Sequence, residues 1–215
     1  ISDSCAVFCG GQPVFSLSDV AFSVKDRVIL NGVAFDILKG SRTVLFGENG
    51  CGKTTLLRLI SRLEKPTRGV ILQNISGKFG QKSKQSKKWY KKVGVVYQNP
   101  DYQLFMPTVE KEIKFGAKSD EYADEIAEKF GVKHLYVRHP QSLSEGQKRR
   151  VSIAAVVATA PEVLILDEPT VGQDYKGLCE MTEVLNRIHE KTKNTMITVT
   201  HDKRCAAALC DRAVW

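Results

Sequence analysis

Thr43-Val44-Leu45-Phe46-Gly47-Glu48-Asn49-Gly50-Cys51-Gly52-Lys53-Thr54 is the stretch on which the fold of this chain turns. Its first four residues form a short apolar run, suited to a strand covered on both faces. The next eight fit G-x-x-x-x-G-K-[ST], and Leu56, Leu57, Leu59, Ile60 and Leu63 then recur at helical spacing until Pro66. Strand, glycine-rich loop and helix in that order give the motif the context of a phosphate-binding loop. Glycines let backbone N–H groups turn inward around a polyphosphate, and the helix N-terminus adds its dipole. Lys53 reaches the outer phosphates and Thr54 offers a hydroxyl to Mg2+. The candidate nucleotide-binding residues are therefore Gly47, Glu48, Asn49, Gly50, Cys51, Gly52, Lys53, Thr54 and Thr55.

Working outward, Val163-Leu164-Ile165-Leu166-Asp167-Glu168 is a second buried strand, and it delivers two carboxylates at its end. Asp167 suits the Mg2+ shell, and Glu168 is free to take a proton from an attacking water. Two exposed acids at a strand end are the bland alternative, weakened by the phosphate loop upstream. Further strands are expected at Val14–Val24, Val33–Ile37, Val70–Leu72, Val93–Tyr97 and Thr195–Thr200, with Asn31-Gly32 as a turn. From Thr108 to Gly131 the pattern is helical, with Ser119 as an N-cap and Tyr122, Ala123, Ile126, Ala127 and Phe130 on one face. Another helix starts near Ser144 and ends before Pro161. The next carries Leu178, Met181, Leu185 and Ile188 on one stripe. Strands alternating with helices imply an α/β fold with a mostly parallel sheet.

The 215 residues are 42% hydrophobic and 26% charged, the balance of a globular chain. Val151–Ala160, the longest apolar-leaning run, falls short of the ~18 residues a membrane span needs. Ile1-Ser2-Asp3-Ser4-Cys5 has no basic region leading into a hydrophobic stretch, as a leader peptide would. Membrane-spanning, secreted and disordered classes are therefore disfavoured. The net charge of +8 is local: Lys65–Pro100 holds nine basic and no acidic residues, and the rest of the chain holds 23 basic and 24 acidic ones. Gly77–Lys92 is the densest part, read first as a solvated loop. The competing reading is a contact with anionic lipid or nucleic acid anchored by Trp89 and Tyr90. The six cysteines (Cys5, Cys9, Cys51, Cys179, Cys205, Cys210) form no CxxC pair, which fits a reduced, cytosolic compartment.

Five motifs in order make the chain resemble the ATP-binding cassettes of ABC ATPases. To the phosphate loop and the Asp167-Glu168-Pro169-Thr170 strand end are added Leu143-Ser144-Glu145-Gly146-Gln147, which is similar to the family's signature motif. Gln98 matches its Q-loop glutamine and His201 its switch histidine, while Asp174, taken together with the Asp167–Thr170 motif it follows, matches its D-loop. The stretch Gln98–Phe105 with Thr108–Ile113 looks most like energy-coupling-factor ATPases, which power uptake of vitamins, cobalt or nickel. The resemblance implies a P-loop NTPase core with an N-terminal antiparallel β-subdomain and a helical insertion. Residues 1–215 would form a single domain, with core and β parts at 14–98 and 161–215 and the helical part at about 99–160.

The resemblance also implies ATP and Mg2+ as cofactors, with Thr54, Gln98 and Asp167 toward the metal. Glu168, His201, Gln98 and Lys53 would be catalytic. Ser144, Gly146 and Gln147 would close on the ATP of a second cassette, whether homodimeric, heterodimeric or a tandem copy. A transmembrane transporter subunit is the other implied partner, with the chain peripheral on the cytoplasmic face of the membrane and no direct nucleic-acid contact. Two alternatives stay open: a soluble cassette ATPase working on ribosomes or nucleic acid, and a cassette that binds ATP without hydrolysing it. Departures from the family pattern are Val24 in place of an adenine-stacking aromatic, Glu145 for glycine, Cys51 for serine and Gln173 for leucine. The ending at Trp215, soon after His201, leaves open a longer or tandem protein.

Overall fold

The computed structural model describes residues 11–48, 50–75 and 87–214. β1 (Pro13–Val24) and β2 (Arg27–Leu38) form a hairpin, and β4 (Arg68–Gln73) lies antiparallel on the other side of β1. The reversal falls at Lys25-Asp26, where Lys25 takes a positive φ of 53°, and not at Asn31-Gly32 as expected. Between the pairs Val20↔Val33 and Phe22↔Leu30, β1 advances two residues and β2 three. Asn31-Gly32 is therefore a β-bulge inside β2, with Gly32 at φ 70°.

The second sheet is parallel, in the order β5 (Val93–Val96), β6 (Val163–Asp167), β7 (Thr195–Thr200), β3 (Arg42–Phe46), β8 (Arg212–Val214). β6 is a continuous apolar run from Val163 to Leu166, and every residue of β6 and β7 is buried because both faces are covered. Leu164, Leu166 and Met196 enter one core cluster, with α3 (Val109–Lys114), α4 (Asp120–Lys129), α5 (Glu145–Ala158) and α6 (Tyr175–Thr192). Val163, Ile165, Ile197 and Val199 enter the other, with α1 (Lys53–Ile60) and the antiparallel sheet. Alternation along each strand assigns these two faces.

Several expectations shift. α1 ends at Ile60, before Leu63, which is exposed beyond Arg62 at φ 59°. The 108–131 pattern is two helices, α3 and α4, and Ser119 caps the second by accepting the Tyr122 N–H. α2 (Lys87–Tyr90) is one turn and holds Trp89, which is not a surface anchor. It is buried, its Nε1 donates to Gln73 Oε1 at 2.9 Å, and the Arg62 guanidinium lies 5.1 Å from its ring centre. Residues 77–86 of the lysine-rich stretch lie outside the described residues, as do Cys5, Cys9 and Asn49. α7 (Lys203–Leu209) and β8 were not anticipated. Among the described residues, no helix is long and apolar enough to cross a membrane.

Candidate functional site

In a parallel sheet all C-terminal strand ends share one edge, and the loops leaving them converge there. The register pairs Phe46 with Thr200 and Asp167 with Val199, so β3, β6 and β7 end together. Their loops frame a cavity of about 450 Å3 lined by Gly50, Gly52, Lys53, Thr54, Thr55, Gln98, Glu168, Val199 and His201, together with Arg27 and Ile29 of β2. The loop after β3 turns through Gly50 at φ 84° and Gly52 at φ 98°, conformations that cost an L side chain and free the backbone N–H groups to face a ligand. Lys53, the first residue of α1, donates its Nζ to the Gly47 and Glu48 carbonyls, both at 2.7 Å. Cys51 is exposed, with Sγ 3.9 Å from Lys53 Nζ.

Thr54 Oγ1 donates to Asp167 Oδ2 at 3.4 Å, joining α1 to the end of β6. Asp167 is 2% exposed and its Oδ1 has no hydrogen-bond partner. Burial, then the neighbouring Glu168 carboxylate, raises its pKa to about 6, against the pull of the Thr54 hydrogen bond. A buried carboxylate oxygen without a donor beside a hydroxyl is a hard-oxygen donor set that fits Mg2+. Among the described residues no cluster of three His, Cys, Asp or Glu side chains could hold a metal unaided. Phosphate oxygens would have to complete the shell, as is usual for this ion.

Glu168 sits one residue further on, at φ 50° and 5% exposed. Such a backbone costs about 1 kcal/mol and persists where its surroundings over-determine it. Here they do. Its N–H donates to the Val199 carbonyl at 2.8 Å and Oε2 accepts from Thr200 Oγ1 at 3.1 Å. Oε1 accepts from the His201 N–H at 3.1 Å and lies 2.7 Å from His201 Nδ1. His201 keeps nearly half of its side chain in solvent.

Gln98 is exposed at the rim, and its carbonyl is held by a residue the sequence reading passed over. Arg149, on α5 and 1% exposed, donates Nη1 to the Tyr97 carbonyl at 2.8 Å and Nη2 to the Gln98 carbonyl. Burial lowers the pKa of this guanidinium, opposed by the charges of Glu145, Asp167 and Glu168.

Ser144, Gly146 and Gln147 are not brought to the cavity. Ser144 is exposed as the N-cap of α5, where a capping box joins it to Gln147: Ser144 Oγ accepts the Gln147 N–H at 3.4 Å, and Gln147 Oε1 accepts the Ser144 N–H at 3.1 Å. Gly146 faces Gln173, whose Nε2 donates to the Gly146 carbonyl at 3.2 Å. Asp174 caps α6 through Gly177 N–H at 2.7 Å.

A phosphate loop after β3 and paired acids at the end of β6, with β7 between the two strands, define an α/β nucleotide-binding ATPase domain, and comparison with known proteins narrows this further. Residues 30–171 match the ABC transporter family. The chain is 40% identical over 199 residues to the energy-coupling factor transporter ATP-binding protein EcfA2 of Bacillus subtilis (strain 168), covering 88% of this chain and 72% of that one. It is 37% identical over 206 residues to a protein named for HMP/thiamine import, YkoD of the same organism, covering 94% of this chain but 37% of YkoD. Among solved structures it is similar to cbiO1 from Clostridium perfringens, part of the ABC transporter complex cbiONQ, with a TM-score of 0.79 and 32% identity over 93% of this chain and 82% of that one. The chain belongs to the ABC transporter family, as an ATP-binding domain close to the energy-coupling factor proteins.

Proposed function

We propose that this chain binds and hydrolyses ATP to drive uptake of a small solute, a vitamin or a metal ion, through a membrane partner. The observation that carries the reading is the meeting of Lys53, the Thr54–Asp167 pair and the Glu168–His201 pair at one edge of the parallel sheet. Backbone N–H groups of the loop and Lys53 Nζ would hold the β- and γ-phosphates, Lys53 exchanging the Gly47 and Glu48 carbonyls for phosphate oxygens. Thr54, Asp167 and Gln98 would hold Mg2+, which supplies charge neutralisation to the phosphates. Glu168 would accept the proton of a water whose oxygen bonds to the γ-phosphorus as the bond to the β–γ bridging oxygen breaks. His201 Nδ1 orients Glu168, leaving Nε2 for a γ-phosphate oxygen.

Ser144 and Gly146 stand outside the chain's own cavity, which supports completion of the site by a second cassette. Residues 1–215 would act as a single ATPase domain in that pair. Tyr102, Phe105 and Phe115 are each more than half exposed, and the two phenylalanine rings meet edge to face at 5.3 Å. This apolar patch beside Gln98 supports a transmembrane subunit as partner and a place on the cytoplasmic face of the membrane. The relatives named above give no support to action on ribosomes or nucleic acid.

The test is the Glu168→Gln variant, assayed for ATP binding, phosphate release and sedimentation with ATP and Mg2+. Binding should persist while turnover falls at least about a hundredfold and a dimer accumulates. Unchanged turnover would remove Glu168 as the base.

A further inference from the structure

The wall of the cavity that adjoins the phosphate loop includes residues of β2. A Cβ added to Gly52 would meet Leu30 Cδ2 at 2.8 Å and the Ile29 carbonyl at 3.2 Å, so this strand runs directly against the loop. Arg27 and Ile29, two residues apart on β2, both line the cavity, while Val28 between them is 61% exposed. Arg27 lies about 7 Å further along the strand than Ile29, toward the hairpin tip. Val24, which carries no ring, is its direct partner across the hairpin, and opposed residues share a sheet face.

Arg27 is exposed, and among the described residues its guanidinium makes no hydrogen bond or ion pair. Four other arginines, by contrast, are committed to carboxylates: Arg42 to Asp211, Arg68 to Asp19, Arg150 to Glu180 and Arg204 to Asp202. An uncommitted planar cation at the rim of a phosphate cavity, beside an aliphatic side chain, is suited to lie flat on an aromatic ring.

We infer that Arg27, with Ile29 beside it, is the platform on which the purine base of the bound nucleoside triphosphate stacks, in place of the aromatic side chain that Val24 does not supply. The contact is to the face of the base and not to its edge, so adenine and guanine are held alike. This rests on the nucleotide-binding reading of the cavity.

Titration calorimetry with ATP, GTP and inorganic tripolyphosphate, each with Mg2+, tests the assignment on the protein and on four variants. Arg27→Ala should weaken ATP and GTP by the same factor, about three- to fivefold, and leave tripolyphosphate unchanged. Arg27→Lys, which keeps the charge without the plane, should lose as much, and Arg27→Tyr should recover nucleotide affinity without the charge. Three results would overturn the inference: unchanged ATP affinity in Arg27→Ala, an equal loss for tripolyphosphate, or unequal losses for ATP and GTP. Lys53→Ala is the control for the underlying reading. If all three ligands bound it as they bind the wild type, the cavity itself would be misassigned, whatever Arg27 does.

Discussion

Replacing Arg149 by methionine separates the support of the Q-loop from the chemistry of the site. The side chain is buried and ties α5 to the Tyr97 and Gln98 carbonyls, so its removal strands two acceptors. Hydrogen bonds to a charged donor contribute about 1.5–3 kcal/mol each. Gln98 is exposed, so water can replace its donor, while Tyr97 is half-buried and loses more. Methionine keeps much of the packing and relieves the burial of a charge, which offsets part of the loss. The balance is about 2 kcal/mol of destabilisation, or an unfolding midpoint lower by about 4–8 °C in a chain of this size. Circular dichroism melts measure the midpoint, and parallel ATP titrations and turnover assays report on the site. Turnover should fall by more than ATP affinity does, because the Gln98 segment loses its anchor while Lys53 keeps its place. A midpoint within about 1 °C of the wild type, with unchanged turnover, would refute the anchoring role.

Three more expectations follow from the same geometry. The folded-state pKa of Asp167, about 6, stands above the unfolded value of about 3.9, so the native state holds the proton more tightly. Stability of the metal-free protein relative to Asp167→Asn should therefore fall as pH rises from about 4 to about 6, by about 2–3 kcal/mol, and level off above; urea melts across that range check it, and a pH-independent difference would contradict it. Alkylation of the exposed Cys51 should abolish ATP binding and be blocked by prior ATP; a modified, fully active protein would dismiss the idea. Lys53→Ala should lose productive nucleotide binding in the same titrations, since among the described residues no other side-chain ammonium lines the cavity.

How much could be read beforehand depended on the range of the interaction. β3, α1, β6 and β7 were legible because each is declared by adjacent residues: apolar runs, glycines and a cap. Ser119 and Ser144 were legible for the same reason, since a cap needs only the next three residues. Arg149 was not, because its partners Tyr97 and Gln98 lie some 50 residues away and a cationic side chain in a helix reads as surface. Trp89 misled in the same manner: next to a run of lysines it reads as exposed, and only the Gln73 contact across the fold buries it. The Glu168–His201 pair spans 33 positions, so the sequence named both residues without joining them. α7 and β8 escaped because seven and three residues are too few for a periodic signal.

The carboxamide of Gln173 occupies the space between two helix starts, at Gly146 and Gly177. A Cβ on Gly146 would come within 2.9 Å of its Nε2, and a Cβ on Gly177 within 2.6 Å of its Oε1. Alanine at either glycine would thus evict the carboxamide before it disturbed any backbone. The three positions should show strong epistasis: each alanine harmful alone, Gly146→Ala nearly silent once residue 173 has been shortened, and Gly177→Ala only partly relieved, because its Cβ also meets the Asp174 cap at 3.0 Å. In a mutational library these sites would rise and fall as a group, and the threshold for losing one glycine would be set by a side chain about 30 residues away in sequence from the other.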